Sequence, residues 1–257
     1  MTDRISPHSQ ENASQIHQDE KRIDGRWFPG RWIGGTSLVL GPLLLLCGVI
    51  LRLPYHFFFP QQLEAFESHP GRITAAYSLF VAGNVILWPA VATLAQLISG
   101  NRPGWALWGG TLATLGLFAR TFHAGADHLA FQLVRTRDLT LATQVVGESY
   151  GAFHIFHSLS PAIMSGWIVL AIGGYLSGTV GLCRSIALGL MAAVPLGVLK
   201  GTSAMSVIGT TGLCVAFLPL GFQVLLANPR PSAKVALKWI VLMIGLGLLF
   251  VFLGELG

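Results

Sequence analysis

The sequence predicts an all-α fold, a polytopic integral membrane helix bundle of about seven transmembrane helices, with six as the alternative count. Three observations carry this reading. Seven apolar segments follow one another between residues 33 and 254, each near the roughly 20 residues a helix needs to cross a bilayer. Only 11% of the residues are charged while 53% are hydrophobic, where a soluble domain carries about a quarter charged residues. The Lys and Arg residues also divide unequally between alternate loops, as topology requires of a membrane protein.

Residues 1–30 are polar and lack the apolar content to bury a core. They are expected to form a disordered cytoplasmic tail, not a signal peptide, because no apolar region follows a short basic start. Residues 31–257 are expected to form a single transmembrane helical domain. Arg26, Trp27, Arg31 and Trp32 form an interfacial anchor ahead of the first span. The spans are placed at 33–53, 73–98, 104–134, 150–176, 180–199, 203–227 and 235–254. The third and fourth exceed the hydrocarbon thickness and must tilt or protrude. Only Lys200-Gly-Thr separates the fifth from the sixth, which is why six remains the alternative.

With a cytoplasmic N-terminus, the inner side holds Arg4, Lys21, Arg22, Arg26, Arg31, Arg102, Arg184, Arg230, Lys234 and Lys238. The outer side holds Arg52, Arg72, Arg135, Arg137 and Lys200, and Arg120 lies within the membrane. This excess on one side predicts a multi-pass protein of the cell membrane with its N-terminus inside. It also accounts for the net charge of +5. No basic run with interleaved aromatics lies on a polar face, so no nucleic-acid partner is expected; the expected partner is the lipid bilayer.

Pro42, Pro89, Pro161, Pro195 and Pro219 each fall inside an expected span, where neighbouring helices can satisfy the freed carbonyls. The 31 glycines, with Gly30-xxx-Gly34 and Gly174-xxx-Gly178 among them, fit close helix packing. Cys47, Cys183 and Cys214 lie in or beside apolar segments with no CxxC spacing and read as small core hydrophobes.

One polar stretch interrupts this pattern. Arg120, His123 and Asp127 stand at i, i+3 and i+7 of the third span and share a stripe, with His128 pointing about 100° away. Charge on an apolar helix is costly unless it faces a partner, a cavity or water. Six of the eight histidines, His56, His69, His123, His128, His154 and His157, fall on the outer side of this topology. On the fourth span, Tyr150, His154, His157 and Pro161 are expected to form a facing stripe. The loop Arg135–Ser149 would join the two walls, with Asp138 and Glu148 as solvated surface charges. The aromatic stretch Leu53–Pro60 and the mixed segment Gln61–Ser68 read as an interfacial anchor over the mouth of the bundle.

Such a pocket suits an intramembrane enzyme acting on a lipophilic small-molecule substrate. Asp127 and His128 are the candidate proton donors and Arg120 the candidate holder of an anion. His123, His154 and His157 are the candidate ligands of a metal ion or haem, which would make the chemistry redox instead of acid–base isomerisation or cyclisation. No HExxH or Cys-His framework selects between these. The alternatives are a small transporter and a non-catalytic membrane partner protein, in which Arg120 and Asp127 simply neutralise each other. The substrate, the cofactor and whether the chain is an enzyme stay open in the sequence.

Overall fold

A computed structural model describes residues 28–150, 152, 154–227 and 232–256, and the side chains of 157, 160, 243, 251, 255 and 256 lie outside it. The expected tail therefore falls almost wholly outside the described residues. Among the described residues the fold is all-α, with no strand. The helices are α1 (Arg31–Leu51), α2 (Phe59–Ser68), α3 (Pro70–Ser99), α4 (Pro103–Thr136), α5 (Leu139–Ser149), α6 (Ile155–Leu176), α7 (Leu182–Gly189), α8 (Ala204–Leu226) and α9 (Ala233–Leu256). A 3₁₀ turn, Leu190–Ala193, extends α7.

Among the described residues four helices, α1, α3, α8 and the Ala233–Gly254 part of α9, are long and apolar enough to cross a membrane. Their outward residues, such as Leu40, Val85, Val215 and Phe222, are large and apolar, a surface compatible with lipid. α4 has the length, 34 residues, but its charged stripe separates it from the four. The apolar part of α6, Pro161–Leu176, and the run Leu182–Ala193 are shorter.

The chain divides into two compact units, one ending at Leu225 and the other starting at Leu226. The second consists of α9. In the first, α1 packs on α3, α3 on α4, and α4 on α6. Small residues permit these approaches: a Cβ on Gly48 of α1 would stand 2.6 Å from the carbonyl oxygen of Ala76 on α3. At the α4–α6 crossing, Gly166 lies directly against the backbone of Ala113. The main core gathers Leu38, Leu87, Leu94, Trp167, Leu170 and Phe217. A second cluster, around Leu63, Phe66, Ile73, Phe131, Ala142 and Leu199, caps one end, with Phe66 stacked on Phe131 at 4.6 Å.

Three local structures differ from the sequence expectation. Residues Leu139–Ser149 are a helix, begun by Asp138, whose carboxylate accepts from the Leu141 N–H at 2.8 Å, so Asp138 is a cap as well as a surface charge. Helix α6 starts only at Ile155, leaving Tyr150 and His154 ahead of it and off any helical stripe. The segment expected as the fifth span is helical only to Ala193; Val194–Ser203 is irregular and contains Pro195. Its helical part rises about 18 Å. It lies against α8, where Cβ atoms on Gly212 and Gly209 would stand 2.5 Å from the Ala187 carbonyl oxygen and 3.0 Å from that of Leu190.

Candidate functional site

The irregular segment Val194–Thr202 sets the chemistry of this end of the bundle. Backbone outside a helix leaves N–H and C=O groups unpaired, and these are costly where water is absent. Side chains and loops from the rest of the fold supply the partners. Arg120 Nη2 donates to the Val194 carbonyl at 3.3 Å, a cation placed at the end of a helical run whose carbonyls carry partial negative charge. The N–H of Leu199 donates to Asp127 Oδ1. Arg52 Nη1 donates to the Lys200 carbonyl at 3.0 Å. The Gly201 N–H donates to the Phe57 carbonyl at 2.8 Å, and Thr202 Oγ1 to the Val49 carbonyl at 2.7 Å.

Arg52 is the residue directly after α1, and its chain folds back so that Nε donates to the Gly48 carbonyl at 3.2 Å. Its guanidinium lies between two rings, 4.5 Å from the centroid of Tyr77 and 4.7 Å from that of Phe80. The Arg120 guanidinium is 5.8 Å from the same Phe80 ring. Tyr77 donates its hydroxyl to Gln62 Oε1 at 3.1 Å, and the Gln62 amide in turn donates to the His56 carbonyl. The Lys200 ammonium sits among Phe58, Phe57 and Tyr150, 4.7, 5.5 and 5.5 Å from their centroids.

These groups enclose a cavity of about 40 Å³ lined by Arg52, Tyr77, Phe80, Arg120, His123 and Asp127 and by the turn Val194–Gly197. The three α4 residues are buried, with 7%, 7% and 8% of their surface exposed, and Arg52 with 4%. The expected α4 stripe therefore does face inward. All three of its members were expected to meet the wall of His154 and His157. Among the described residues His123 does, with its ring centroid 5.8 Å from that of His154. Phe122 flanks the pair, 4.8 Å from His154 and stacked on Phe156 at 4.5 Å.

His128 is exposed on the other face of α4, away from the cavity. His157 falls within α6, and its side chain lies outside the described residues. Among the described residues, no three His, Cys, Asp or Glu side chains come together to hold a metal ion. His123 and His154 are the only two of the expected ligands whose rings the described residues bring side by side.

Arg52, Tyr77 and Lys200 are site residues that sequence reasoning missed. Arg52 and Lys200 count as loop charges when the chain is read for topology. The available signal was Pro195-Leu-Gly-Val-Leu-Lys-Gly201, where one proline and two glycines within seven residues mark broken helix inside an apolar run. No protein-family model, curated protein or solved structure matches this chain.

Proposed function

We propose that this chain is a multi-pass protein of the cell membrane with seven crossings and a cytoplasmic N-terminus. It works as an intramembrane enzyme on a lipophilic small molecule that presents a polar group to the cavity near the outer face. α4, α6 and the broken stretch Leu182–Gly201 complete the count begun by the four apolar helices. The observation that carries the enzyme reading is that Arg52, Arg120, His123 and Asp127, reached from α4 and the end of α1, line one buried cavity. A carboxyl group in such surroundings can exchange a proton with a bound substrate, while the guanidiniums hold it in place. The chemistry favoured is acid–base rearrangement. Metal or haem chemistry through His123, His154 and His157 is the redox form of the same proposal.

The test compares lipid extracts of cells making the wild-type chain and the Asp127→Asn chain by untargeted mass spectrometry. At least one amphiphile should depend on Asp127 for its formation or loss. Identical extracts from equally abundant proteins overturn the enzyme reading. A reporter fused after Gly257 should read non-cytoplasmic; a cytoplasmic signal rejects the seven-crossing, N-in topology.

A second reading has one specific observation in its favour. A crossing that is helical for half its length and irregular beside buried charges is how many transporters build their binding sites. Transport would alter where a solute accumulates in the same cells without changing its structure, so the two readings separate in one experiment.

A further inference from the structure

The cavity is poor in negative charge. Two buried guanidiniums line it against the single carboxylate of Asp127, and one Asp127 oxygen already accepts from Leu199. Among the described residues, both guanidiniums are held by backbone carbonyls and aromatic faces, not by a carboxylate. Among the described residues Arg120 Nε is buried without a hydrogen-bond partner, although buried donors are nearly always paired and a buried cation is costly without a counter-charge. Lys200 also lines the cavity, and its ammonium sits on the aromatic cluster beside it.

Size narrows the occupant further. A volume of about 40 Å³ holds roughly three waters at about 10–15 Å³ each. A compact oxyanion fits that space and the body of a lipophilic molecule does not. Two guanidiniums, arriving from the end of α1 and the middle of α4, suit an oxyanion such as phosphate, whose several oxygens can accept from both.

We propose that the cavity between Arg52 and Arg120 binds a small oxyanion of the phosphate class, either free or as the head group of a lipid. This rests on the reading of the cavity as the working site. It specifies the substrate's polar end: the anion enters, and any hydrocarbon part stays outside.

The test uses the full chain in phosphatidylcholine nanodiscs. In one arm inorganic phosphate is titrated by calorimetry. In the other, nanodiscs with and without phosphatidic acid are compared by native mass spectrometry for lipid retained on the protein. Binding is expected in at least one arm, and at least about tenfold weaker in Arg52→Lys and Arg120→Lys, which keep the charge and lose the fork. Binding of free phosphate alone assigns a soluble anion; retention of phosphatidic acid alone assigns a lipid head group. No binding in either arm, or equal binding by both variants, overturns the proposal.

Nuclear magnetic resonance of the wild type labelled with [15N]arginine gives a readout that needs no variant to fold. The anion must move arginine Nε resonances; binding that moves none overturns the site. Anion binding with unchanged lipid extracts in Asp127→Asn keeps this site and removes the enzyme reading. An Asp127-dependent product without anion binding does the reverse.

Discussion

The carboxylate of Asp127 accepts the backbone N–H of Leu199, a residue 72 positions further along the chain. This one bond joins the charged stripe of α4 to the irregular segment that follows α7. Asp127 is thus a structural acceptor as well as a candidate proton donor, and its two roles can be separated by substitution. Asparagine keeps an acceptor oxygen, whereas leucine leaves the buried N–H unpaired at a cost of about 1–3 kcal/mol. Thermal unfolding in detergent should therefore rank Asp127→Leu clearly below Asp127→Asn. Equal melting temperatures would show that the bond does not hold the segment.

Leu199 is fully buried and has a φ of 50°, in the left-handed region that costs a non-glycine residue about 1–2 kcal/mol. Truncating it to alanine should destabilise by about 2–5 kcal/mol. Glycine removes slightly more side chain yet relieves the backbone. The expected order is Leu199→Gly at least as stable as Leu199→Ala, the reverse of the usual ranking within helices. Unfolding temperatures of the two variants decide it, and a less stable glycine variant would refute the left-handed conformation.

Helix α4 offers a paired packing test. Gly166 lies against the Ala113 backbone, while a Cβ on Gly125 meets nothing within 4 Å. Gly166→Val should cost about 1–3 kcal/mol or more through overpacking. Gly125→Ala should be neutral or stabilise by up to about 1 kcal/mol. Comparable losses of stability in both would contradict the α4–α6 crossing.

The two α4 histidines should behave differently. His123 lines the cavity and His128 is exposed on the opposite face. His128→Ala is expected to leave the Asp127-dependent change in lipid extracts intact, and His123→Ala to diminish it. If the His128 variant loses as much as the His123 variant, the site lies elsewhere.

Cys47 is exposed on the apolar surface of α1, and in a bilayer that surface meets hydrocarbon. In a Cys183→Ser, Cys214→Ser chain, a membrane-impermeant maleimide should label Cys47 in denaturant and not in intact membranes. Efficient labelling in membranes would place this face of α1 in water.

The helices were largely legible in the sequence because apolar length sets them. The expected segments 33–53, 73–98, 104–134 and 203–227 fall within a few residues of α1, α3, α4 and α8. The inward face of Arg120, His123 and Asp127 was legible too, since helical spacing fixes which residues share a side. What periodicity could not supply was the partner. The stripe was expected to oppose Tyr150, His154 and His157 on a helix, but that helix starts at Ile155. Most of the facing wall is instead backbone from Val194–Lys200, whose hydrogen-bonding needs leave no pattern in side-chain hydrophobicity. Arg52 was hidden for the same reason: its position after a span reads as a loop charge until the Lys200 carbonyl is brought to it.

The irregular stretch also constrains the order in which the protein can assemble. Its described partners, at Val49, Arg52, Phe57, Arg120 and Asp127, all precede it in the chain. A helix can enter hydrocarbon by itself because its backbone is already paired; a stretch such as Val194–Thr202 cannot. During synthesis from the N-terminus, the groups that receive it have emerged before it does. The receiving half of the molecule acts as an internal template, and a chain begun from α7 would lack the groups that pair the backbone of this stretch.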